Sequence, residues 1–169
     1  ECARDITKHY GANDYISKIV LAEVCYQKNE SYQALIMINS ALAFLEQSGH
    51  EELWAAARYV QMCIMIVTGQ LQAIYPLVNG MQERVYASGN RGLIDNYEAL
   101  RAWCALYDDD WDTIDSWIKY SAKNEFDRIN LEDSFGLLVK VRIYYMQSKY
   151  LSVVTLLQSL MGLLERNNR

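Results

Sequence analysis

Proline is almost missing from this chain. Pro76 is the only one, and there are eight glycines, too few for the many tight turns of an all-β protein. The two histidines, His9 and His50, stand with no G-x-S-x-G nucleophile and no other acid–base constellation, so an enzyme is not expected. The four cysteines lie far apart with no CxxC pair, which argues against a zinc site or a redox motif. The "DDDWD" run at 108–112 lacks the ligand spacing of a calcium loop, so no metal is expected there, and no cofactor in this segment. No signal peptide and no span of about 20 apolar residues occurs, so no membrane role is expected. No basic run occurs either, and the formal charge is −5. A phosphate backbone attracts clustered Lys and Arg, so direct nucleic-acid contact by this segment is not expected.

What is present is an ordinary globular balance, 51% hydrophobic and 22% charged over 169 residues, enough chain for a real core. Cys25, Cys63 and Cys104 fall in apolar stretches with helical spacing and are expected as buried free thiols in a reducing, cytoplasmic compartment. The chain opens on Glu1 and stops at "ERNNR", and is read as a segment of a longer one.

Helical periodicity runs almost throughout, with apolar residues at i, i+3, i+4 and i+7 over stretches such as 15–28, 34–47, 53–67 and 135–147. Short polar breaks separate them. Gly49 and Gly89 suit the left-handed residue that ends a helix, Asp110 suits an N-cap for a helix opening at Trp111, and Pro76 should kink or delay its helix. The break around 122–130 is longer and less regular.

The residues that follow alternate breaks are Ser31, Leu71, Trp111 and Tyr150, with gaps of 40, 40 and 39. Three positions after each stand Ala34, Ile74, Ile114 and Val153. Six and seven after stand Met37/Ile38, Leu77/Val78, Trp117/Ile118 and Leu156/Leu157. Seven before stand Val24, Ile64, Cys104 and Ile143, and nine before, Ala22, Met62, Ala102 and Val141. Every column is apolar over four units. The expected fold is therefore all-α, a tetratricopeptide-like α-solenoid of four antiparallel helix pairs wound as a right-handed superhelix. The chain is expected to be a single domain, with units at about 12–48, 51–88, 91–122 and 131–167. Residues 1–11 are expected to be the tail of a preceding element, and the second helix of the third unit to be short.

The last helix, "YLSVVTLLQSLMGLLER", is apolar over most of its circumference. A solenoid cap normally has a polar outer face, so either a further repeat or self-association through this helix is expected.

Several stretches together resemble the sensor region of the large, MalT-like, LuxR-type ATP-dependent transcriptional regulators. They are "YQKNESYQALIMINSALAFLEQSG", "VTGQLQAI" leading to "ERVYASGN", "LYDDDWDTIDSWI" and "VKVRIYYMQSKYLSVVTLLQSLMGLLERNNR". The family's small-residue column is occupied here by Ile74, Ile114 and Val153, so wider helix packing is expected at those points. The resemblance implies a ligand-sensing and protein-interaction segment that responds to a small-molecule inducer or a peptide and works with other modules of the same chain. An ATPase module and a helix-turn-helix would lie outside this segment, and no phosphate-loop motif occurs within it. The alternative is a generic tetratricopeptide scaffold that binds a partner's peptide.

In such a solenoid the first helix of each pair lines the concave face. Residues 15, 12, 8 and 5 before each anchor share that face, which nominates Glu23, Tyr26, Tyr59, Asn96, Trp103, Arg142 and Tyr145 among aliphatic neighbours as a ligand-binding surface. Aromatic walls with a few polar groups suit an organic ligand or a peptide. The aromatics could equally pack between adjacent first helices. Glu23 and Arg142 are the better candidates, because charges seldom sit unpaired in helix seams. Charged residues such as Glu51 and Glu52 with Arg58 read as a solvated face.

Overall fold

Eight α-helices and one 3-10 turn form the regular structure of the described residues, 14–124, 127 and 129–167 of a computed structural model, and no strand occurs among them. The protein is all-α. The helices are α1 (Asp14–Gln27), α2 (Ser31–Leu45), α3 (Glu51–Val67), α4 (Leu71–Ala87), α5 (Arg91–Ala105), α6 (Trp111–Tyr120), α7 (Ser134–Met146) and α8 (Tyr150–Asn167), with the 3-10 turn at Leu131–Asp133. Cys2, His9 and the expected N-terminal tail lie outside the described residues, as do three positions of the irregular break.

Each of the four residues that set the period, Ser31, Leu71, Trp111 and Tyr150, is the first residue of an even-numbered helix. The turns before them share one geometry. The amides of Glu30, Gln70, Asp110 and Lys149 donate to the carbonyls of Cys25, Met65, Ala105 and Tyr144 at 2.8, 2.8, 3.0 and 2.8 Å. The residue before each donor is left-handed: Asn29, Gly69, Asp109 and Ser148, with φ of 63°, 75°, 53° and 59°. This is the Schellman closure, in which one left-handed residue lets the chain reverse while an orphan carbonyl keeps a donor. Gly49 and Gly89 take the left-handed conformation at the other turns, with φ of 71° and 63°.

Only one of the four Schellman turns has glycine. A side chain in the left-handed region meets its own carbonyl, at a cost of about 1–2 kcal/mol that Asn and Asp partly escape and Ser does not. Ser148→Gly should therefore raise stability by about 0.5–1 kcal/mol, after the extra backbone entropy of glycine is subtracted. The urea midpoint reads this directly, and an unchanged or lower midpoint would show that the turn carries no strain.

The chain divides into two compact units, with the boundary between Ser88 and Gly89. In the first, α2 packs on α1, α3 on α2 and α4 on α3, and α1 also lies against α3. In the second, α5 packs against α6 and α7, α7 against α8, and the 3-10 turn against α5 and α7. Within each unit, odd-numbered helices thus lie beside one another.

The column three residues into each even helix, Ala34, Ile74, Ile114 and Val153, is buried throughout. In the next column the buried residue is the seventh from the anchor in α2 and α4 (Ile38, Val78) and the sixth in α6 and α8 (Trp117, Leu156). Val24 departs from its column. It is exposed while Cys25 beside it is buried, and no described helix precedes α1 to cover it.

The helix with Pro76 is not delayed: it begins at Leu71 and holds the proline, exposed, in its second turn. A proline that near a helix start removes only one amide bond and turns its ring to solvent. Asp110 caps α6, accepting from the amide and the hydroxyl of Thr113 at 3.1 and 2.6 Å. These bonds to Thr113 hold the carboxyl below its usual range. Cys25, Cys63 and Cys104 are buried and form no disulfide. Burial, with Asp108 nearby, pushes the Cys104 thiol up to about 11.

Candidate functional site

The nominated residues fall in both units. In the first, Glu23 and Tyr26 on α1 and Tyr59 on α3 are half-buried. Glu23 accepts from Gln27 Nε2 at 2.9 Å, one turn along its own helix. The other four lie in the second unit, where Trp103 and Arg142 come together, Tyr145 follows Arg142 by one turn and Asn96 stands apart.

Trp103 and Arg142 meet because α5 and α7 run side by side. Ala99 faces Gly136, where even an added Cβ would find 3.8 Å to the alanine methyl. One turn after Ala99, Trp103 is buried with Phe135 against its edge, ring centroids 6.0 Å apart at 70°. Tyr107 is also near the indole, its ring centroid 6.5 Å away at a tilt of 49°. Arg142 sits over the indole with its guanidinium carbon 4.7 Å from the ring centroid. The side chain is exposed, and it has no carboxylate partner among the described residues. An arginine held over an indole keeps its charge and its planar fork of donors while losing rotamer freedom. That arrangement suits a carboxylate or a phosphate, which accepts two parallel N–H bonds. On α7, Leu138 and Tyr145 are exposed on either side of Arg142, and the Tyr145 ring meets Tyr150 of α8 edge-on at 5.8 Å.

Asn96 lines a separate cleft of about 240 Å³ between α5, the end of α6 and the start of α7. Its rim carries charges of both signs: Arg91 pairs with Asp95 at 3.0 Å and Lys123 with Asp133 at 3.7 Å. At its base lies Lys140, 1% exposed. The Lys140 ammonium donates to the Lys123 carbonyl at 2.6 Å and stands 5.3 Å from the centre of the Tyr144 ring. The cleft is smaller than pockets that enclose drug-sized ligands, roughly 300–1,000 Å³, and four of its rim charges pair with one another.

Two features escaped the sequence reading. Lys140 reads as a surface charge, although its register, three residues after Leu137 and four before Tyr144, follows a buried stripe. The second is a network in the first unit. Glu51 does not pair with Arg58; it pairs with Arg84, and Arg58 pairs with Glu46. Arg84 also donates to the carbonyls of Leu45 and Glu46 at 3.3 and 3.4 Å, capping the end of α2. Its guanidinium lies 4.1 Å from the centre of the buried Trp54 ring, and that of Arg58 5.8 Å away. Helix spacing cannot reveal this, because Arg84 reaches across 33 residues to Glu51.

Among the described residues, no three His, Cys, Asp or Glu side chains converge to hold a metal, and no helix is long and apolar enough to cross a membrane. No protein-family model, curated protein or solved structure matches the chain.

Proposed function

We propose that the chain is the ligand-sensing and protein-interaction segment of a LuxR-type transcriptional regulator, built as a tetratricopeptide-like α-solenoid. The repeated Schellman turns, the even-helix starts at Ser31, Leu71, Trp111 and Tyr150, and the lateral packing of α1 on α3 and α5 on α7 support the solenoid. The whole-chain resemblance supports the regulator.

The observation that carries a binding role is Arg142, exposed, stacked on Trp103 and without a carboxylate partner among the described residues. In this reading it receives the acidic group of an inducer, with Tyr145 and Leu138 as the adjoining apolar surface. Exposed apolar residues on both sides of an arginine also suit the C-terminal carboxylate of a peptide, which keeps the scaffold reading as the second.

Arg142→Ala tests the role. The side chain is exposed, so the stability read from urea denaturation should change by less than about 1 kcal/mol, while binding of an anionic ligand should weaken by about 10–100-fold through loss of a charge-assisted pair. In the intact regulator the induction curve should shift to higher inducer by the same factor. An unchanged curve would remove Arg142 from the site. If peptides with a free C-terminus bind and no small molecule raises the melting temperature, the scaffold reading holds instead.

A further inference from the structure

The packing of α7 on α5 shows which edge of an odd-numbered helix faces the one before it. Gly136 meets Ala99 of α5, and Phe135 and Arg142 reach Trp103. Val139 and Ile143, three and seven residues after Gly136, are fully buried. In α3 the same register holds Ala57, Val60 and Ile64, which are 0%, 6% and 0% exposed, and α3 has α1 beside it. Residues at i, i+3 and i+7 form one line along a helix, so this line is the receiving edge.

In α1 the receiving edge falls on Ser17, Val20 and Val24. The two valines stand forty residues before Val60 and Ile64, yet they are 56% and 41% exposed. Single exposed apolar side chains are ordinary. Here the exposure follows position in the stack: the two columns are covered in α3 and α7, which each have an odd-numbered helix before them, and open in α1, which has none among the described residues. Ser17 is small, as are Ala57 and Gly136 in its register, and a small residue at the crossing lets two helices approach closely.

We propose that this edge of α1 docks the odd-numbered helix of a further helix pair of the same forty-residue kind, placed just before α1 in the full reading frame. The argument is continuity: α3 receives α1, α7 receives α5, and α1 presents the same edge. A second copy of the chain fits poorly. It would offer the edge that α5 offers with Ala99 and Trp103, and in α7, the last odd-numbered helix, those positions are Leu138 and Arg142. Burying the Arg142 charge against two valines, with no carboxylate beside it, is strongly unfavourable. The contact rests on the stacked-helix part of the proposed function and not on the sensing role of Arg142.

Hydrogen exchange in two proteins tests it: this segment, and the product of the whole reading frame. The frame should carry apolar residues about forty positions before Val20, Ala22 and Val24. In the whole protein the amides of Lys18–Gln27 should exchange at least about tenfold more slowly than in the segment. Val24→Asp should shift the melting temperature of the segment by less than about 2 °C, because the side chain is exposed there. In the whole protein the same substitution should return the α1 amides to the rate of the segment. Equal exchange in the two proteins, or slow exchange that survives Val24→Asp, overturns the proposal. Protection that appears in the segment alone as its concentration rises means a second copy, and protection without the upstream columns means another kind of module; each overturns it as well. None of these outcomes changes the expected response to Arg142→Ala.

Discussion

Trp54→Ala should lower the stability of the chain by about 4 kcal/mol, a third or more of what a domain of this size commonly has. Trp54 is 4% exposed, so truncation removes a large buried ring and leaves a cavity, which by itself costs about 3–5 kcal/mol. It also removes the surface on which Arg84 lies. Arg84 joins α4 to the end of α2 and to Glu51 at the start of α3, so a loosened Arg84 weakens three helices at once. Arg84→Ala should cost about 2–3 kcal/mol, less than the tryptophan, because the group is partly exposed and its ion pairs are screened. The two losses should overlap by about 1 kcal/mol in a double-mutant cycle. Trp54→Phe separates packing from hydrogen bonding. The indole Nε1 is buried with no acceptor among the described residues, so its removal forfeits no bond there, and the cost should stay under about 1.5 kcal/mol. Urea denaturation of the four variants measures all of this; strict additivity of Trp54→Ala and Arg84→Ala would show that the ring does not hold the arginine.

Lys140→Ala should cost about 3 kcal/mol. The side chain is buried along its whole length among α5, α7 and the break that follows α6. Two losses add: the packing of a four-carbon stem, and a charged donor to the Lys123 carbonyl at 2.6 Å. Lys140→Met keeps most of the volume and loses only the donor, so it should cost about half as much. The break should then become more open to proteolysis, because the bond from Lys140 ties it to α7. A Met variant as stable as the parent, with no change in cleavage, would mean that the ammonium contributes nothing and only its stem matters.

Much of the architecture was legible because it is written in apolar columns. A residue that must be buried in every unit leaves a trace every forty positions, and the starts of α2, α4, α6 and α8 follow from it. The left-handed residues were legible only where they are glycine, as at Gly49 and Gly89. Asn29, Asp109 and Ser148 adopt the same conformation, but these residue types are common at exposed breaks and do not advertise it. The arginine network was not legible, because a long side chain reaches a partner set by tertiary packing.

Of the nominated surface, the sequence could say which residues share a helix face but not which part of that face meets a neighbour. Eight positions before the anchors, Glu23 is half-buried, Cys63 and Trp103 are buried and Arg142 is exposed. One column therefore supplies both a packed indole and the cation above it. The period implies α5 beside α7, but the offset along the two helices that puts Arg142 over Trp103 is set by packing.

The sensing proposal is tested most directly by reading the coding sequence on both sides of this segment. A phosphate-loop ATPase on the N-terminal side and a helix-turn-helix on the C-terminal side are the expected result. A reading frame that carries neither module would contradict the regulator and leave a helical scaffold whose partner binds at Arg142.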